Sequence, residues 1–257
     1  MSIRPMESKT FERMQVHIFE SKELLGQRAA HDLVTLISRL VNQQGKATVI
    51  LATGNSQLTF FDALLTLKTV PWNKVTLFHM DEYLGMSNEH PASFARFIQE
   101  KLVDSVHPAA FYHIRGDSSD ADSELKRYNN LLREFPPDIC VMGIGENGHL
   151  AFNDPPADFE TKEVIHLVNL DSRCRMQQFT EGHFPTLDDV PKRAYSLTVP
   201  ALLDVKHALV VVPELRKAPA VKAALQGPVT RDCPASILRT KSNVTLYLDR
   251  ESASLLQ

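Results

Sequence analysis

The chain has 257 residues, 43% of them apolar and 23% charged, with a net charge of −3. That is an ordinary soluble composition with ample material for a core. It makes overall disorder and nucleic-acid binding poor expectations. Glycine is scarce, 10 residues or about 4% against a usual ~7%, yet three fall within six positions, at Gly143, Gly145 and Gly148. The opening MSIRPMESKTFERM has no apolar stretch of the secretory kind, and runs such as Ala208–Val212 are far too short to span a membrane. Cys140, Cys174 and Cys233 are odd in number and widely spaced, which suits neither a disulfide framework nor a zinc pattern. Each is expected to be a small buried hydrophobe in a cytoplasmic protein.

In chain order, Val16–Phe19 reads as a strand. Leu24, Leu25, Leu33, Leu36, Ile37, Leu40 and Val41 then recur near helical spacing, and Gly45 ends that helix. Ala47–Ala52 is a buried-type strand, followed by a helix through Phe61, Leu64 and Leu65, and Val75–Phe78 is the next strand. Pro91–Leu102 is expected to be helical, with Pro91 in its first turn. Leu125–Leu132 is a helix stopped by Phe135-Pro136-Pro137, and Ile139–Met142 is a strand running straight into the glycine cluster. The apolar runs Ile165–Leu170 and Ala208–Val212, the helix Leu215–Leu225 and the strand Val244–Leu248 complete the pattern.

This alternation implies right-handed βαβ units. We expect one α/β domain over residues 1–257, a Rossmann-like three-layer sandwich on a mainly parallel sheet. Ligands of such sheets bind beyond the carboxyl ends of the strands. Three polar segments follow strands, Thr53–Ser56, His79–Tyr83 and Gly143–Asp154, and should converge there.

Gly143-Ile144-Gly145-Glu146-Asn147-Gly148 fits the dinucleotide string G-x-G-x-x-G, and Asp171 lies at a tempting distance. That motif needs a helix to begin at the glycines, so that its N-terminus faces the pyrophosphate. Asn153-Asp154-Pro155-Pro156 leaves no room for one. A loop bringing its backbone and His149 close to a small ligand is the better reading; a purely structural tight turn is the plain one. Thr53-Gly54-Asn55-Ser56, between strand and helix, makes either a phosphate cradle or a simple N-cap. It lacks the Walker lysine. Of the adjacent carboxylates Asp81 and Glu82, only one can face a pocket, because side chains alternate along a strand. A carboxylate there can move a proton between neighbouring carbons; the plain alternative is a solvated turn or helix cap. A metal held by His79 and Asp81 is disfavoured, since neither a Cys nor a second His accompanies them.

Together the three segments resemble the glucosamine-6-phosphate deaminase (isomerase) family. Leu51-Ala52-Thr53-Gly54 looks like its phosphate loop. Met80-Asp81-Glu82-Tyr83, followed by His90-Pro91-Ala92-Ser93-Phe94, looks like its second signature, and the stretch Gly143–Pro155 like its third. Val190–Ala194, Arg216-Lys217-Ala218 and Cys233–Ser236 continue the match, which runs from about Phe19 to Leu256. The related 6-phosphogluconolactonases share the fold and a glycine–His loop, but usually continue with Ser-Leu-Phe-Pro where this chain has Phe152-Asn153-Asp154-Pro155.

The resemblance implies that glucosamine 6-phosphate and water give fructose 6-phosphate and ammonia, in the cytoplasmic catabolism of N-acetylglucosamine, with no metal or organic cofactor. Asp81 would move the proton between C2 and C1, and His149 would transfer one at the ring oxygen. Asn147 and Asp154 would orient His149. Thr53, Gly54, Asn55, Ser56 and Lys217 would hold the phosphate. Many family members carry Asp at the place of Asn147 and Glu at that of Asp154, and the loop Asn55-Ser56-Gln57 also departs from the pattern. The region 171–185, a lid, matches poorly; the family places a phosphate-binding arginine there, and Arg175 is preferred to Arg173. These departures leave the sugar open. The partner expected is a small sugar phosphate, with neither nucleic acid nor membrane, and the protein a monomer or homo-oligomer. A lactonase-like hydrolase and a non-catalytic sugar-phosphate sensor are the alternatives. The chain ends soon after its last strand, so the allosteric regulation of longer hexameric members is not expected.

Overall fold

In the computed structural model, which describes residues 3–257, the chain opens with strands Glu7–Phe11 (β1) and Met14–Phe19 (β2). Helix Lys22–Gln44 (α1) follows, then Ala47–Leu51 (β3), Leu58–Thr66 (α2), Val75–His79 (β4) and Asp81–Tyr83 (β5). Short helices Phe94–Ile98 (α3) and Asp104–Val106 (α4) precede Ala110–Tyr112 (β6), Ala121–Glu134 (α5) and Ile139–Met142 (β7). The remainder comprises Ile165–Asn169 (β8), Ser172–Thr180 (α6), Arg193–Leu197 (β9), Val199–Leu203 (α7), His207–Val212 (β10), Ala218–Gln226 (α8) and Val244–Asp249 (β11).

Eight strands form the main sheet in the order β1-β2-β11-β10-β7-β3-β4-β6, parallel throughout except for the β1–β2 hairpin. Alternation along each strand feeds two separate cores. Ile50, Cys140, Met142, Val210 and Val212 face one side with Tyr128, Leu132, Val221 and Leu225 of α5 and α8. Val49, Leu51, Val141, Leu209 and Val211 face the other with Leu25, Leu33, Ile37, Phe61 and Leu64 of α1 and α2. A parallel sheet covered on both faces needs strands that are apolar on both faces, and β3 and β7 are buried at every position. The expected three-layer α/β architecture is thus present. The strand order turns between β3 and β7: β4 and β6 continue to one side, β10 and β11 to the other. The crevice at such a reversal is where ligands sit in this class of sheet.

Several boundaries depart from the sequence reading. Strands β1, β6 and β9 lie outside the sequence expectation, and Asp81–Tyr83, expected to close the strand from Val75, is the separate strand β5 of a second sheet. The helix expected from Pro91 begins at Phe94, because Ser93 closes a turn onto the His90 carbonyl and its hydroxyl accepts the Arg96 N–H. It then loosens into a π-helical stretch, Gln99–Val103, before α4. The helix expected over Leu215–Leu225 is a 3-10 turn at Leu215–Lys217 followed by α8. Residues 171–185 hold α6, capped by the Asp171 carboxylate on the Cys174 N–H at 2.6 Å. A second, antiparallel sheet, β5-β9-β8, joins the segment after β4 to the strands flanking α6. Among the described residues, no helix is long and apolar enough to cross a membrane.

Candidate active site

The loop after β3 turns at Gly54, whose φ of +94° favours glycine, and continues through a 3-10 turn, Asn55–Gln57, into α2. No side chain caps either element, so the Thr53 and Ser56 hydroxyls are not consumed as N-caps. Gln57 is buried; its amide donates to the Val211 carbonyl of β10 at 3.2 Å and lies against Gly143. Asn55 donates to the Glu181 carbonyl at 3.3 Å. Lys217 ends the 3-10 turn after β10 and is only 3% exposed. Among the described residues its ammonium has no hydrogen bond or ion pair, whereas Arg216 is paired to Glu214, Glu181 and Glu146. Burial, then the charge of Arg216, lower the Lys217 pKa to about 8. A buried ammonium without a counter-ion beside free backbone N–H groups is an anion site.

The two carboxylates after β4 separate as alternation requires. Glu82 points away from the pocket and accepts from Tyr83 N–H (3.0 Å), Ser93 Oγ (2.8 Å), Phe94 N–H (3.3 Å) and Ala95 N–H (2.9 Å), fixing the start of α3. Burial outweighs these bonds and raises it to about 7. Asp81 faces the pocket, and among the described residues its carboxyl makes no hydrogen bond. Burial, then the neighbouring Glu82, push its pKa well above the usual carboxylate range. His79 stands apart: its Nε2 accepts the Ile114 N–H at 2.8 Å, and burial holds it neutral with a pKa near 3.

Among the described residues no helix begins between Gly143 and Ala157, so the dinucleotide motif is not built. The loop instead folds on itself, Gly145 N–H to the His149 carbonyl (2.9 Å) and Gly148 N–H to the Gly145 carbonyl (3.0 Å). The His149 ring lies flat against Gly145: a Cβ there would collide with its Cε1, Nε2 and Cδ2. Gly148 has φ +87° and packs on Cys233. Among the described residues Asn147 makes no hydrogen bond to the imidazole. Its Oδ1 accepts the His149 backbone N–H (3.1 Å), and its Nδ2 donates to Asp154 Oδ1 (3.0 Å). Asp154 Oδ1 lies 3.2 Å from His149 Nδ1, and its other oxygen accepts the Asp171 N–H at 3.2 Å. Burial pushes the Asp154 carboxyl up, but His149, Asn147 and the Asp171 N–H together hold it below the ordinary value.

Thr53, Gly54, Asn55, Ser56, Asp81, His149 and Lys217 therefore line one pocket, a concave site with a few convergent polar groups of the kind that binds small molecules. Asn147 and Asp154 stand behind His149. Arg175 does not join them: its guanidinium donates to the Leu187 (2.7 Å) and Val190 (3.2 Å) carbonyls, pinning the segment after α6. Here the sequence reading fails, since a cation on the right segment is spent on backbone. What α6 and its end do supply is Gln177, Gln178 and Glu181, which the sequence reading missed. Glu181 is buried, which opposes its charge, but His183 and Arg216 outweigh that and lower it to about 2. Its partner lies 35 residues on, and no local pattern signals the pairing.

The family described as "Glucosamine-6-phosphate isomerases/6-phosphogluconolactonase" matches residues 20–247. The chain belongs to that family. Within it, the glucosamine-6-phosphate deaminase of Exiguobacterium sibiricum is 37% identical over 221 residues, 86% of each chain. That of Oenococcus oeni is 34% identical over 243 residues, 95% of this chain and 99% of its own. The structure of a monomeric glucosamine-6-phosphate deaminase is similar with a TM-score of 0.86 at 30% identity, covering 93% of this chain and 99% of that one. A 6-phosphogluconolactonase from Shewanella baltica has a TM-score of 0.77 at 18% identity, covering 94% and 99%, and shares the fold.

Gly145→Ala tests the floor under His149. Overpacking at this contact should cost about 1–3 kcal/mol and turn the imidazole out of its present position, leaving the sheet intact. Histidine side-chain NMR and a denaturant titration report both; an unmoved ring would refute the contact.

Proposed function

We propose that this chain is an amino-sugar phosphate deaminase that converts glucosamine 6-phosphate and water into fructose 6-phosphate and ammonia. The observation that carries the proposal is the presence, in one small pocket, of an unpartnered buried carboxyl, Asp81, a carboxylate-backed imidazole, His149, and an unpaired buried ammonium, Lys217. A pure binding module has no use for the first two. The identity to named deaminases over most of the chain supports the same reaction.

The chemistry follows from these groups. The phosphate docks on the Thr53–Ser56 loop and Lys217, where backbone N–H groups and the ammonium meet its charge. His149, steadied by Asp154, gives and takes the proton at the ring oxygen as the sugar opens. Asp81 then removes the C2 proton and returns it to C1 from the same side, while the substrate nitrogen loses a proton, the C1 oxygen gains one, and C2 becomes an imine. Water adds to that imine and ammonia leaves. The raised Asp81 pKa makes its carboxylate a stronger base, and the substrate's own ammonium, entering beside it, favours the ionised form. We further propose that residues 171–185 form the lid of a single working domain, and that the enzyme serves amino-sugar catabolism in the cytoplasm. A lactonase reading lacks a comparable observation: its support is the family's joint description and the shared fold at 18% identity.

Asp81→Asn should still bind the sugar phosphate and lose about 10²–10⁴-fold in kcat for ammonia release. Turnover near that of the parent protein would refute the assignment.

Lys217→Ala should raise KM more than it lowers kcat. The sign of its pH dependence follows from the depressed pKa: Lys217 is cationic below about pH 8 and neutral above it. The parent's kcat/KM should therefore fall as pH rises through that value, and the fall should vanish in Lys217→Ala. An unchanged KM would move the phosphate elsewhere.

A further inference from the structure

Gln178 is 6% exposed and lines the pocket from α6. Its Oε1 accepts the Tyr83 hydroxyl at 2.7 Å. Tyr83 is itself buried, and burial above all keeps its phenol protonated. Among the described residues that hydroxyl has no other acceptor. A buried hydroxyl proton needs one, so the carbonyl end of the amide must face Tyr83 and the NH2 end is left over. Among the described residues Gln178 Nε2 makes no hydrogen bond. Its neighbour Gln177 differs: Oε1 accepts the Glu146 N–H at 3.1 Å and Nε2 donates to Glu181 at 2.9 Å. Gln178 therefore brings a fixed and unspent donor to the pocket wall.

Its place along the helix says what that donor meets. Cys174, Gln178 and Glu181 recur at helical spacing and share one face of α6. At one end of that face, donor atoms of Cys174, Asp154 and His149 lie within 4.8 Å of one another. At the other, Glu181 Oε2 lies 4.0 Å from where a Cβ on Gly54 would stand. Gln178 thus stands between the imidazole and the phosphate loop. Asp81 and Tyr83 are two residues apart on β5, so the hydroxyl that orients Gln178 rises on the same side as Asp81. With C1 and C2 of a hexose 6-phosphate at Asp81 and His149, and its phosphate on the Thr53–Ser56 loop, C4 is the middle of the three carbons between. That direction of the sugar comes from the proposed function, on which the role of Gln178 rests.

We propose that Gln178 is a specificity-determining residue whose Nε2 donates to the C4 hydroxyl of the open-chain sugar, and that Tyr83 positions it. In the C4 epimer the hydroxyl leaves the carbon on the other side. The buried NH2 then loses its water without gaining an acceptor, which disfavours that epimer. The pocket accordingly selects the gluco over the galacto configuration.

Calorimetric titration of the full chain with glucitol 6-phosphate and galactitol 6-phosphate tests this without turnover. These open-chain probes, made by reducing glucose 6-phosphate and galactose 6-phosphate, differ only at C4. The parent should bind the gluco probe at least about tenfold more tightly, the cost of one buried donor left unpaired. Gln178→Leu should bring the ratio close to unity, chiefly by weakening the gluco probe. Tyr83→Phe should shift the ratio the same way by less, and should have no further effect in the Gln178→Leu background. Equal affinities in the parent, or a ratio that survives Gln178→Leu, overturn the assignment. If Gln178→Leu does not fold, an unchanged ratio in Tyr83→Phe overturns it instead. In the ammonia assay the parent should prefer glucosamine 6-phosphate to galactosamine 6-phosphate, and Gln178→Leu should narrow that preference through KM. Probe discrimination that depends on Gln178, without ammonia from either amino sugar, keeps this role and refutes the proposed reaction. Ammonia release without probe discrimination keeps the reaction and refutes the role.

Discussion

The imidazole of His149 lies on a residue that has no side chain. That contact with Gly145 sets the loop after β7: the ring needs the missing Cβ, the chain must then double back, and Gly148 supplies the left-handed turn that does it. Asn147 and Asp154 complete the arrangement from behind, one through the backbone and one beside Nδ1. A chain that uses glycine sparingly places three here because each position has a neighbour pressed against it: Gln57 at Gly143, His149 at Gly145 and Cys233 at Gly148.

The sheet turns that local constraint into a site. Because the strand order reverses between β3 and β7, the loops after these two strands open side by side. β4 neighbours β3 and delivers Asp81 to the same end; β10 neighbours β7 and delivers Lys217. Gln57 locks the arrangement by bridging the phosphate loop to β10 beneath Gly143. The separation of Asp81 from Glu82 follows from strand alternation. One carboxyl is spent on organising α3, so the other is left unsolvated and unpartnered, which raises its basicity.

Much of this was legible in the sequence because the informative residues are local. The buried strands are continuous apolar runs, and the three polar segments directly follow them. β7 appears with the expected ends, and the prolines after Asp154 do exclude a helix. What was not legible depends on partners far along the chain. Strands β1 and β9 are short, and β1 is largely polar; each becomes a strand only because β2 or β5 and β8 lie beside it. Arg175 sits in the segment where a phosphate ligand was expected, but the Leu187 and Val190 carbonyls claim it. Glu181 enters the pocket because Arg216, on another element, holds it there. Neither pairing leaves a trace in spacing or composition.

The family and its shared fold admit both deamination and lactone hydrolysis, so the decisive question is which bond this pocket breaks. Parallel assays of the purified chain on glucosamine 6-phosphate and on 6-phosphogluconolactone answer it most directly. Ammonia and fructose 6-phosphate are expected in equal amounts from the first, with no enzymic hydrolysis of the second. Hydrolysis of the lactone without ammonia release from the amino sugar would contradict it.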